Sequence, residues 1–134
     1  MKTVRSALLV HNDPDSFRGL EETLYEMGIR TRPAHHGAEA RSMLQDPVDR
    51  VLTDAVLPDG TWKDVIRLVG KVTKDTPVIV MSRVLSMQLY LDTQEAGAAD
   101  FIVPPMAPRE LAYVLTAAVY RTLPSEIMRP RRAA

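Results

Sequence analysis

The sequence contains no cysteine, which excludes disulfide bonds, thiolate metal sites and thiol-based catalysis. Its 17 basic and 17 acidic residues cancel, so no broad electrostatic attraction to nucleic acid or anionic lipid is expected. No apolar run approaches the roughly 18 residues that a membrane-spanning helix needs, and the N-terminus lacks a signal-peptide pattern. These absences predict a cytoplasmic protein that contacts neither membranes nor nucleic acid directly.

What is present indicates one folded domain. With 46% hydrophobic residues in 134, the chain is long enough to bury a core. There is no internal repeat and no second domain. We predict a domain over residues 1–123, followed by an Arg- and Pro-rich segment, 124–134, which lacks periodicity and is predicted to be a mobile basic tail.

Short apolar runs alternate with amphipathic segments along this domain. We predict strands at 6–10, 29–34, 48–56, 77–82 and 100–103, and helices at 17–27, 38–44, 62–72, 87–96 and 108–123. This alternation predicts an α/β fold in which a doubly wound parallel sheet has helices on both faces. Pro33 places the second strand at a sheet edge, and Gly28 and Gly97 are expected to end helices.

Asp54 is the most informative single residue. It ends a β-branched run and is followed by a Pro-Asp-Gly turn at 58–60. The carboxyl ends of parallel strands are where ligands and chemistry collect in open α/β sheets. Asp54 is therefore the first candidate functional residue, and the alternative is a structural role in capping the turn.

Together, three features resemble a response-regulator receiver domain over residues 4–123. They are Asp54 with Leu-Pro-Asp-Gly at 57–60 behind it, Ser82 ending the fourth strand, and Ala-Gly-Ala-Ala-Asp-Phe at 96–101. The resemblance implies a flavodoxin-like, three-layer α/β/α fold with five helices and strand order 2-1-3-4-5.

The resemblance also implies a chemistry. Receivers transfer a phosphoryl group from a histidine kinase to an aspartate, which here is Asp54, with Mg²⁺ bringing the two anions together. Ser82 matches the hydroxyl that senses the new charge, and Phe101 matches the aromatic residue that turns inward with it. The backbone carbonyl of Val56 matches a metal ligand.

Other positions depart from the receiver pattern. The acidic pair expected after the first strand is His11 and Asn12, and the expected lysine is Pro104. Asn12 brings no charge, and Asp13, one position further on, is a substitute ligand that also suits a helix N-cap. Losing one preorganised group costs a factor of about 10²–10³ in rate. We therefore predict a weak or absent Mg²⁺ site, formed by Asn12, Asp13, Asp54 and Val56, and weakened or lost phosphorylation.

Arg83 follows the predicted switch hydroxyl, where receivers usually have a small residue. Its guanidinium suits bidentate pairing with a carboxylate or a phosphate. It can therefore pair with Asp54 and replace the missing cation, or block the pocket, or remain a solvated loop residue. The sequence leaves these three alternatives open.

The leading hypothesis is an atypical receiver module in two-component phosphorelay signalling, with a histidine kinase or another signalling protein as partner. The alternative is a phosphorylation-independent interaction module. We do not predict an enzyme: Asp-Gly-Thr at 59–61 resembles the motif of aspartate-nucleophile phosphatases, but Leu57 occupies the nucleophile position. His35 and His36 are predicted to face solvent without a metal role.

Apolar residues near the C-terminus suggest a partner surface. They lie on the last two predicted helices: Met87, Leu89, Tyr90, Leu91, Tyr113 and Tyr120. Exposed apolar clusters often mark interfaces, so we predict a homodimer surface formed by these helices and the fifth strand. The alternative is that most of these side chains point into the core.

Overall fold

The computed structural model describes residues 5–73, 75–104 and 108–121, with the backbone alone at 14–16, 18, 108 and 116–121. Its strands are β1 Arg5–Val10, β2 Ile29–Ala34, β3 Arg50–Asp54, β4 Val56–Leu57, β5 Gly60–Thr61, β6 Val78–Met81 and β7 Asp100–Ile102. Its helices are α1 Pro14–Glu26, α2 Gly37–Met43, α3 Trp62–Val72, α4 Met87–Glu95 and α5 Pro108–Arg121. The predicted tail at 124–134 lies outside the described residues.

Five of the strands form one parallel sheet in the order β2-β1-β3-β6-β7. Counting only these strands, the order is the predicted 2-1-3-4-5, so the predicted fold class is confirmed. β2 is an edge strand, as Pro33 indicated. No described helix combines the length and the apolar character needed to cross a membrane.

The sheet is buried on both faces because side chains along its central strands alternate in direction. Leu9 of β1 packs with Phe17 of α1 and Leu111 of α5. Its neighbour Leu8 belongs to a second cluster with Ala40 of α2 and Val65 of α3 on the opposite face. This two-sided packing holds the carboxyl ends of β1, β3 and β6 side by side.

The segment after Asp54 differs from the prediction. A single strand was expected over 48–56, but β3 ends at Asp54, and β4 and β5 form a small antiparallel hairpin. The backbone N–H of Trp62 then donates to the carbonyl of Ala55. The hairpin fixes the direction of the chain as it leaves Asp54.

Helix boundaries follow local capping. Thr61 and Asp64 form a capping box at the start of α3, which begins at Trp62 as predicted. Gly28 and Gly97 adopt positive φ after α1 and α4, where glycine is unstrained. Val72, in the last turn of α3, is 52% exposed and so lies outside the buried stripe of this helix.

Candidate functional site

Three neighbouring strands deliver the candidate residues to one edge of the sheet. Asp54 ends β3, which lies between β1 and β6. The loop after β1 carries His11, Asn12 and Asp13, and the loop after β6 carries Ser82 and Arg83. The topology therefore brings residues 70 positions apart in the chain into contact.

Arg83 lies between the two carboxylates of this edge. Its Nη2 atom is 3.2 Å from Oδ2 of Asp54 and 2.9 Å from Oδ2 of Asp13. Its Nε atom donates to the same Asp13 oxygen at 3.0 Å, and the guanidinium lies 5.8 Å from the centre of the Phe17 ring. Arg83 thus bridges the loop after β1 and the end of β3.

Asp54 is almost inaccessible, with 2% of its surface exposed. Burial raises the pKa of the Asp54 carboxyl, because removal from water penalises its charged form. The Arg83 guanidinium opposes this rise, as do backbone hydrogen bonds from Val56 and Ala55. The arginine is the main nearby charge that favours ionised Asp54.

Asp54→Asn is expected to stabilise the domain by about 1 kcal/mol at pH 7, because it removes a buried charge while Arg83 keeps Asp13. Since the folded-state pKa lies above the ordinary 3.8, the destabilising effect of Asp54 is complete above the folded pKa and disappears as the pH falls towards 3.8. Urea unfolding of the wild type and Asp54→Asn at pH values from 7 to 4 measures how the difference between their free energies of unfolding narrows. Asp75→Asn, at an exposed position, is the control. An equal gain in stability from this variant would contradict the conclusion that the buried charge of Asp54 destabilises the fold.

His11 is buried at the end of β1. Its ring lies 5.1 Å from that of Phe17, and Nδ1 accepts a hydrogen bond from the backbone N–H of Asp13 at 3.2 Å. Burial lowers the pKa of His11, while the carboxylates of Glu21 and Asp54 oppose the shift. An imidazole whose charged form is disfavoured by burial therefore occupies one of the two positions where receivers have an acidic pair.

The two predicted switch residues, Ser82 and Phe101, contact different neighbours. The Ser82 hydroxyl donates to the carbonyl of Val84 at 2.8 Å and accepts from the N–H of Val84 at 3.2 Å. Phe101 is half-buried and packs edge-on against Tyr90, with ring centres 6.0 Å apart. Their roles in switching stay predictions.

The donors at this edge do not fit Mg²⁺, which takes oxygen ligands in near-octahedral geometry. Arg83 contacts both nearby carboxylates, Asp13 and Asp54, and Asn12 is exposed. Val56, the expected carbonyl ligand, lies in the hairpin strand β4. Within the described ranges, no group of three or more His, Cys, Asp or Glu residues is placed to hold a metal ion.

Asp59 has a structural role that the sequence did not reveal. Its carboxylate accepts from the backbone N–H groups of Gly37 at 2.7 Å and Ala38 at 3.1 Å, which lowers the pKa of Asp59. A Cβ at position 37 would lie 3.3 Å from this carboxylate, so glycine suits the close approach. Asp59 thereby ties the hairpin behind Asp54 to the start of α2.

The two histidines before α2 have acidic partners, although none was expected from the sequence. His35 Nδ1 lies 3.1 Å from Glu39 Oε1, and His36 Nδ1 lies 3.7 Å from Asp59 Oδ2. His36 also caps α2 by accepting from the backbone N–H of Glu39. Spacing of i and i+4 could have indicated the first pair.

The fold is a doubly wound α/β domain, and the candidate site with Asp54 lies at the carboxyl ends of the strands. The model of the response regulator receiver domain family matches residues 7–116. The chain therefore belongs to the response regulator receiver family.

Individual relatives agree with this membership. The response regulator protein PilR of Pseudomonas aeruginosa is 36% identical over 103 residues, covering 76% of this chain and 23% of PilR. The transcriptional regulatory protein CpxR of Escherichia coli is 31% identical over 126 residues, covering 89% of this chain and 51% of CpxR. The chain thus spans about a quarter of the first relative and half of the second.

Solved structures give the same architecture. The crystal structure of a protein described as a response regulator from Chloroflexus aurantiacus matches with a TM-score of 0.80 and 25% identity. The match covers 87% of this chain and 98% of that one. The structural similarity extends over nearly the whole receiver.

Proposed function

We propose that this receiver acts in two-component signalling with weakened or lost Mg²⁺-dependent phosphorylation of Asp54. The observation that carries the proposal is the Arg83 guanidinium, which bridges Asp13 and Asp54 at 2.9 and 3.2 Å. The guanidinium supplies positive charge between the two carboxylates, as a metal ion would, but it has no open coordination position for a phosphoryl group. Pro104 also lacks the ammonium that would neutralise an incoming phosphoryl group.

The proposed module is not an enzyme with a turnover of its own. Its partner is a histidine kinase or another signalling protein, as its family membership suggests. CpxR is a transcriptional regulatory protein about twice as long as the matched region, and we propose that this receiver itself makes no direct nucleic-acid contact. The balanced charge of the chain supports that proposal.

Incubation with acetyl phosphate and Mg²⁺ tests the chemistry. We expect intact-protein mass spectrometry to find at most a trace phosphoryl adduct on the wild type, because the site lacks its acidic pair and lysine. Asp54→Ala sets the background. A stoichiometric adduct on the wild type that Asp54→Ala lacks would overturn the proposal and establish a working acceptor.

The second candidate is a phosphorylation-independent interaction module. Exposed apolar side chains favour it: Met87 is 66% exposed, Leu91 50% and Tyr113 75%. Beside Tyr113 lies a groove of about 590 Å³ lined by residues that include Phe101 and Arg109. We propose that α4, β7 and α5 form a contact face for a partner or a second copy. The Tyr120 side chain lies outside the described residues.

A further inference from the structure

We propose that Arg83 is an internal counter-ion that excludes divalent cations from Asp13 and Asp54, so that these two carboxylates form a latent metal site which removal of Arg83 exposes. The inference rests on the proposed function in that it concerns the same edge of the sheet. It assigns to the Arg83 side chain a direct part in the loss of metal binding at this edge.

The geometry of the bridge carries the inference. Nη2 of Arg83 is shared between Oδ2 of Asp13 and Oδ2 of Asp54, so both oxygens face one cationic group. The Asp54 side chain is 3% exposed and the Asp13 side chain is 34% exposed. A metal ion reaching the buried oxygen from the open side would have to pass or displace the guanidinium.

Charge balance points the same way. Asp13 and Asp54 bring two negative charges, which a divalent ion would neutralise in full. Arg83 neutralises one of them, and a divalent ion added beside it would leave an excess positive charge next to the buried carboxylate of Asp54. Like charges placed together oppose binding, and the expected penalty is at least about tenfold in affinity, which corresponds to about 1.4 kcal/mol. Arginine and metal are therefore competitors for the same two oxygens.

Local packing keeps the arginine in place. The ring of Phe17 lies beneath the guanidinium, with 5.8 Å between them, and is itself 1% exposed. The Ser82 hydroxyl, one residue earlier, bonds to both backbone groups of Val84 and so fixes the loop that carries Arg83. The counter-ion is thus oriented by the fold on both sides.

Mn²⁺ is the probe, because it prefers carboxylate oxygens and its free form is counted directly by electron paramagnetic resonance. We expect Arg83→Gln, which keeps much of the side-chain stem without the charge, to bind one Mn²⁺ at least about tenfold more tightly than the wild type. Quenching of Trp62, the chain's single tryptophan, gives a second readout. Trp62 is 5% exposed and bonded through its backbone to Ala55, next to Asp54.

Two further variants make the test specific. Arg41→Gln removes an exposed arginine from α2 and is expected to leave Mn²⁺ affinity unchanged. Asp13→Asn combined with Arg83→Gln is expected to lose the gain. The inference is overturned if Arg83→Gln binds no more tightly than the wild type, if Arg41→Gln gains equally, or if the gain survives Asp13→Asn.

Metal binding and phosphorylation are measured separately, so the two proposals can fail separately. Phosphorylation of the wild type would contradict the proposed function and leave the Mn²⁺ comparison valid. Circular dichroism of each variant checks that it is folded. If Arg83→Gln does not fold, it is replaced by Arg83→Lys, which keeps a charge without the bidentate fork and is expected to bind Mn²⁺ more tightly than the wild type, by less than about tenfold.

Discussion

We expect the double variant Asn12→Asp/Pro104→Lys to accept a phosphoryl group from acetyl phosphate at least about 10²-fold faster than the wild type. Asn12→Asp adds a carboxylate to the loop after β1, where receivers have their acidic pair, and Pro104→Lys adds an ammonium for the phosphoryl oxygens. Each preorganised group is worth a factor of about 10²–10³ in rate. The measurement is the phosphorylated fraction against time, by intact mass spectrometry in the presence of Mg²⁺.

The control for this variant adds Asp54→Ala, which must remove the adduct if Asp54 is the acceptor. Adding Arg83→Gln to the double variant then tests whether the arginine lowers the rate of phosphorylation. A folded double variant that reacts no faster than the wild type would mean that the missing groups do not account for the weak chemistry. In that event the bridge from Arg83 to Asp13 and Asp54, which the double variant keeps, would account for the loss.

Phe17→Ala is expected to cost about 3–5 kcal/mol of stability, a large part of the 5–15 kcal/mol typical of a domain. Phe17 is 1% exposed and belongs to the cluster between the sheet and α1 and α5. Its ring also contacts His11 and Arg83, so the change leaves a cavity below the site as well as in the core. Urea unfolding followed by circular dichroism measures the loss.

Tyr25→Ala on the same helix is the matched control. Tyr25 is 80% exposed, so its removal leaves no cavity and is expected to change stability by less than about 0.5 kcal/mol. Equal losses for the two variants would contradict the burial of Phe17. If Phe17→Ala is too unstable to study, Phe17→Leu is expected to show a smaller loss in the same direction.

Most of the fold could be predicted from local patterns. Continuous apolar runs gave β1 and β6, because both faces of these strands are buried. Helix α3 was predicted within its observed bounds, since Thr61 caps it and its apolar residues recur at helical spacing. The hairpin β4–β5 could not be predicted, because strands of two residues have no periodicity.

The residues of the candidate site could be selected from the sequence, but the contacts between them could not. Asp54 stood out because it follows a buried strand, and Arg83 stood out because of its position after Ser82. The bridge from Arg83 to Asp13 joins residues 70 positions apart, and no local pattern specifies such a contact. The bond from Asp59 to Gly37 spans 22 positions and was missed for the same reason.

Pro33 limits how copies of this protein can associate. Ala34 accepts a hydrogen bond from the N–H of His11, so alternation along β2 directs the backbone of Pro33 towards the open edge of the sheet. Proline has no N–H to offer a foreign strand there. Growth of the sheet by strand addition is therefore disfavoured at the β2 edge, and contacts between molecules on this side are left to side-chain surfaces, whose specificity can be tuned residue by residue.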